Sequence, residues 1–130
     1  MSIRIRASLV ALAMAAAATP LLAHHRADGA YDTKHLVMMT GTVTEVEWRN
    51  PHVILHLDTR YGGSSVASWN VETLGPILLM RQGLNQNFLK AGDTVNMTVC
   101  VAKDGTMKAV TRAIELPGRR RTTYIRVGGC

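Results

Sequence analysis

From Met39 to Asp58 the chain reads MTGTVTEVEWRNPHVILHLD, and its apolar residues recur with a period of two. That period belongs to half-buried β-strands. Val53, Leu55 and Leu57 share one face of the second run, leaving His52, Ile54, His56 and Asp58 on the other. In the first run Met39, Gly41 and Val43 keep one phase, whereas Val46 and Trp48 fall in the opposite one. One extra residue near Thr44-Glu45 restores the register, as a β-bulge does, and bends the strand. A long first strand bent at its middle is what a small closed barrel needs to turn a corner. Trp48-Arg49-Asn50-Pro51-His52 joins the two runs. Pro51 cannot donate to a ladder and pushes Asn50 towards extended backbone, so both suit a turn.

The remaining runs follow the same logic. Tyr61 to Ser65 is a turn; Ala67, Trp69 and Val71 then alternate with Ser68, Asn70 and Glu72 in a third strand. Pro76 suits the first turn of a short helix, Ile77 to Met80 form its apolar body, and Gly83 suits its C-terminal cap. The apolar residues of that helix are expected to plug one end of the barrel. Asn85 to Leu89 is read as a further helical turn capped by Asn85. Ala91-Gly92-Asp93 turns into a fourth strand, Val95 to Val101, and Lys103-Asp104-Gly105-Thr106 is a hairpin turn. A fifth strand runs from Met107 to Leu116, and Thr122 to Val127 is a short sixth candidate. Three strands, a helix and two strands is the order of a mainly β, five-stranded OB-like Greek-key barrel.

The first 23 residues read as an export signal. Arg4 and Arg6 precede an alanine-rich apolar run, Thr19-Pro20 breaks it, and Ala23 offers a cleavage point. The run falls short of the about 20 apolar residues that a membrane span needs. Processing would leave His24 first and place the protein in the periplasm or outside the cell. Residues 24–36 then form an irregular lead-in, 37–118 the barrel domain and 119–130 a basic tail. The formal charge is +6, to which Arg4 and Arg6 contribute; Arg119, Arg120, Arg121 and Arg126 crowd the tail. In a cytosolic protein such a tail would suggest nucleic acid, whereas an exported one meets anionic envelope polymers or is merely solvated. Cys100 and Cys130 can pair in an oxidising compartment, although Cys130 sits behind Gly128-Gly129 at the chain end, where fraying is usual.

The run Ala23-His24-His25, Gly41-Thr42-Val43 and then Glu47-Trp48-Arg49-Asn50-Pro51-His52 resembles a widespread family of bacterial exported domains of unknown function. Trp69 with Glu72, Pro76, Leu79, Arg81, Gly83 and Gly92-Asp93 continue the likeness. It implies a small periplasmic OB-like barrel without an established activity. The architecture is also similar to periplasmic copper-chaperone barrels, which carry a strand-2 His and a Trp and Met-x-Met pair around strand 3. Trp69 and His52 or His56 could correspond, but Asn70-Val71-Glu72 replaces the methionine pair that a thioether Cu(I) site requires.

For chemistry, the histidines stand out. His52 and His56 share a strand face but lie about 13 Å apart at ~3.3 Å per residue, too far to share one ion. Cleavage after Ala23 would set a free α-amine beside the His24 ring, with His25 next; His52 or His35 could complete a square-planar Cu(II) site. The plain alternative is a polar, solvated N-terminus with no cofactor. Core packing is expected to explain most of the methionines. No nucleophile elbow, phosphate loop or metalloprotease motif occurs, so an enzyme is not expected. Trp48, Asn50, His52, Trp69, Glu72 and Arg81 are the candidate ligand-binding or rim cluster. Arg81, Glu72 and the Asn-Pro-His turn are expected to form a buried polar group there, and Glu45, Glu47, Glu72 and Asp58 can approach one another. The expected function is a non-catalytic binding or interaction module. Copper binding through the N-terminal histidines and envelope-polymer binding through the tail are the alternatives.

Overall fold

The computed structural model describes residues 29–60, 65–116, 124–126 and 130. The proposed export signal, His24, His25 and the arginines at 119–121 lie outside these residues. Strands β1 (Val37–Glu47), β2 (Ile54–Thr59) and β3 (Ala67–Glu72) precede helix α1 (Pro76–Arg81), which is followed by β4 (Thr94–Val101), β5 (Lys108–Glu115) and β6 (Tyr124–Arg126). The sheet order is β3-β2-β1-β4-β5-β6, and a parallel pairing of β3 with β5 closes five of these strands into a barrel.

Two bulges bend the sheet. Val43 pairs with Leu57 and Glu45 with His56, so Thr44 is the extra residue in β1. The phase change read between Val43 and Val46 is therefore a bulge. In β5, Thr111 opposes Val99 and Ala113 opposes Thr98, which makes Arg112 extra. Across this bulge the buried set shifts from Ala109 and Thr111 to Ile114 and Leu116.

Inward residues follow the alternation elsewhere. Val53, Leu55, Leu57, Val71 and Val99 are fully buried, with Met39, Val43, Trp69, Val95 and Met97 nearly so. Helix α1 contributes less than expected. Pro76 and Leu79 are buried, but Ile77, Leu78 and Met80 face solvent. Two turns satisfy only one buried stripe on a helix lying against a barrel end, and Leu84 and Leu89 supply the rest of the apolar seal. Asn85 does cap, but as an Asx turn: Oδ1 accepts from the Asn87 N–H at 2.9 Å and the segment continues as turn, not helix. Gly83, Gly92 and Gly105 take positive φ where the turns need it.

The lead-in is partly structured. Tyr31 bridges Ala102, the Asp32 N–H donates to the Val101 carbonyl at 2.9 Å, and the Lys103 N–H donates to the Ala30 carbonyl at 2.9 Å. The tail contributes too, because β6 pairs antiparallel along Ala113–Glu115. Cys100 and Cys130 form a disulfide with their Cα atoms 6.1 Å apart. Cys100 follows inward Val99, so its side chain leaves the barrel on the outer side, yet it is fully buried. Arg112 donates to the Cys130 carbonyl at 3.3 Å.

Candidate functional site

The turn between β1 and β2 is fastened to the segment after β3. The Val53 N–H donates to the Leu74 carbonyl at 3.1 Å, and the Thr73 N–H returns a bond to the Val53 carbonyl at 2.9 Å. The Thr73 hydroxyl also reaches the Val53 carbonyl. Gly75 then passes so close to Pro51 that a Cβ would stand 2.3 Å from the Pro51 carbonyl oxygen. Only glycine permits that approach. A cleft of about 440 Å³ opens between these segments and α1, lined by Asn50, Pro51, His52, Leu74, Gly75, Ile77 and Leu78. Its walls are mainly apolar.

His52 joins this cleft to the outer face of β1, β2 and β3. Register places Glu45, His56 and Asn70 in one row and Glu47, Ile54 and Glu72 in the next. Asp58 and Ser68 pair in the row beyond, bonded at 2.7 Å. His52 Nδ1 meets Glu72 Oε1 at 2.5 Å. His56 Nε2 meets Glu47 Oε1 at 2.6 Å, and its Nδ1 lies 2.8 Å from Asn70 Oδ1. Arg49 closes on the other oxygen of Glu47 at 2.7 Å. Thus both nitrogens of His56 are occupied, whereas Glu72 fixes Nδ1 of His52 and, among the described residues, nothing bonds its Nε2. At the end of β4, where Tyr31 bridges Ala102, burial first and then the charges of Glu72 and Asp104 hold its phenol above its ordinary pKa.

The rim residues expected from sequence therefore separate. His52 pairs with Glu72, and Asn50 lines the cleft with His52. Trp69 lies inside the barrel, 4% exposed. Trp48 is half-buried and packs edge-on against Phe88, with centroids 5.9 Å apart. Arg81 is exposed at the end of α1 and belongs to none of the described ion pairs. The expected buried group of Arg81 with Glu72 does not form, because His52 is the nearer partner and neither it nor Arg81 is buried. His52 itself lies in the turn before β2, not on the strand. Glu45, Glu47, Glu72 and Asp58 do share one face, as the alternation implied. The sequence reading missed Leu74, Gly75, Ile77 and Leu78; the signal for them was an apolar run too long for a two-turn helix to bury.

His35 is exposed and bonded to Asp32 at 2.8 Å. That bond, with smaller help from the Lys34 and His35 amides, holds Asp32 below the usual carboxylate range. Among the described residues no three His, Cys, Asp or Glu side chains converge as a metal ion would require. No helix among them is long and apolar enough to cross a membrane.

The profile of a family of unknown function (DUF6152) matches residues 11–111, which takes in β1 to β4, the cleft and the start of β5. No curated protein and no solved structure matches the chain significantly.

Proposed function

This chain belongs to that family of unknown function, and from this premise we propose that it is an exported, non-catalytic binding module whose ligand seats in the cleft between the Asn50–His52 turn and α1. The observation carrying this reading is the pairing of an apolar cleft with a half-exposed imidazole, His52, already oriented by Glu72. Binding sites are typically concave and mostly apolar, with a few placed polar groups. An oriented imidazole keeps one nitrogen ready to accept or donate without first losing rotamer freedom. Export rests on the charged, alanine-rich N-terminus and Ala23.

The test is an NMR titration with a panel of small amphiphilic fragments. Amide shifts should cluster at Asn50–His52 and Leu74–Leu78 and vanish in Leu78→Ser. Shifts elsewhere, or none, overturn the reading.

A second reading keeps copper. Metal-bound histidines commonly hand their other ring nitrogen to a carboxylate, the arrangement His52 has with Glu72. A processed chain starting at His24 would supply its amine and ring, with His25 adjacent, as the rest of a Cu(II) site. Copper titration of that chain, against one carrying a single extra residue before His24, decides it. Equal affinity for the two removes the N-terminal site.

A further inference from the structure

We infer that the Cys100–Cys130 bond is a redox latch on β6: the oxidised chain holds this strand against β5, and reduction releases it and bares the β5 edge while the barrel stays shut. β4 occupies one edge of β5, so β3 and β6 must share the other. β3 covers Lys108–Val110 and β6 covers Ala113–Glu115, with the bulge residue Arg112 between the two stretches. β6 is therefore a cover strip laid where β3 no longer reaches.

The barrel closes without that strip. Its seam is the pairing of Asn70–Glu72 with Lys108–Val110, and the buried apolar residues between Met39 and Leu116 pack as one cluster. β6 meets β5 over the register pairs Ala113–Arg126, Ile114–Ile125 and Glu115–Tyr124, too short a run to hold an isolated strand in water. Noncovalent help is slight. The Arg112 guanidinium donates to the Cys130 carbonyl at 3.3 Å, and the Cys130 sulfur rests 3.4 Å from the Val110 carbonyl oxygen. The covalent link to β4 keeps β6 near, by removing the freedom that a loose segment would regain.

The opening step is a thiol–disulfide exchange with a dithiol. Cys100 is fully buried and Cys130 half-buried, so the incoming thiolate attacks the Cys130 sulfur and the Cys100 thiolate leaves. The second thiol of the reductant then displaces Cys130 and closes the reductant's own disulfide. The chain gains two electrons and two protons and ends with two thiols. Ala113–Glu115 is left with unpaired backbone N–H and C=O groups on one side, the kind of edge to which an extended segment adds. Exchange with an oxidised disulfide runs the sequence backwards and shuts the latch.

The test is NMR on the isotopically labelled full chain, before and after addition of dithiothreitol, a small dithiol. In the oxidised chain, cross-strand NOEs should connect Ala113–Glu115 with Tyr124–Arg126. Reduction should abolish them, while NOEs joining Asn70–Glu72 to Lys108–Val110 persist. Exchange into oxidised glutathione should restore the first set. Cys130→Ser should show the reduced pattern with no reductant present, and Cys100→Ala should do the same from the other side of the bond. β5–β6 NOEs that survive reduction overturn the latch, because β6 then holds without the bond. Loss of the β3–β5 NOEs along with them also overturns it, since the bond is then a staple of the whole barrel. A bond that dithiothreitol leaves intact in the folded chain ends the proposal as well.

Discussion

The two tryptophans have different duties although the sequence offers both as rim candidates. Trp69 occupies the barrel interior opposite Leu57, whereas Trp48 lies at the edge of the core against Phe88. Trp69→Ala should therefore cost about 3–5 kcal/mol, the range for emptying a packed aromatic site. Trp48→Ala should cost roughly 1–3 kcal/mol, since part of its surface is already in water. Urea unfolding of both variants checks this, and equal losses would place Trp48 in the core after all. Alternation set Trp69 on one face with Ala67 and Val71 but did not say that this face is the inner one, so Trp69 was taken for a rim residue. Trp48 follows the end of β1, where that rule stops applying. The same limit hid His52: two positions before β2 the strand pattern no longer says which way a side chain points.

Elements were legible wherever local chemistry decided them. β1, β2, β3 and the Asp104-Gly105 turn follow from alternation and from glycine at positive φ. Thr44 as an extra residue was visible because inward apolar residues changed phase around it. Arg112 was not, since Ala109, Thr111 and Ala113 are small enough to suit either face. The exposure of Ile77, Leu78 and Met80 was also hidden, because a short apolar run cannot say which of its residues a barrel end accepts. The disulfide belongs here as well, linking β4 to the strand-forming tail. Its 30-residue separation predicts a loss of about 3–4 kcal/mol in Cys130→Ser. An unchanged urea midpoint for that variant would mean that the tail contributes nothing to the folded state.

At the scale of the whole molecule, acid and alkaline limits come from different corners. Asp32 is held low chiefly by its bond to His35, and Asp104 chiefly by the Thr106 hydroxyl. A depressed carboxyl stabilises the fold above its unfolded pKa, near 4, and that contribution disappears as pH falls through the folded value. Tyr31 is shifted the other way. Its contribution is complete below an unfolded pKa near 10 and is lost as pH rises through the folded value. Stability measured by urea unfolding should thus be flat between about pH 5 and 9 with respect to these groups. Asp32→Asn should flatten the acid limb and Tyr31→Phe the alkaline one. An acid limb unchanged by Asp32→Asn would assign it to other carboxylates.

β1 is shared: its first half, Val37–Thr42, pairs with β4, while Gly41–Glu47 pairs with β2. The β2 partners lie next along the chain, whereas Val37 meets Val99 from the far side of α1. This predicts an order of folding. The β1–β2–β3 meander closes short loops and can assemble early. Docking of β4 and the β3–β5 seam at Asn70–Glu72 must wait for long-loop closure, on a scale of roughly milliseconds to seconds. Conservative truncations at Leu55 and Val71 should slow refolding, and truncation at Val99 should mainly speed unfolding. The reverse pattern in stopped-flow chevrons would put the nucleus in the β4–β5 hairpin instead. In that order the cleft would acquire its fastened turn before the barrel shuts, on a chain that is still incomplete.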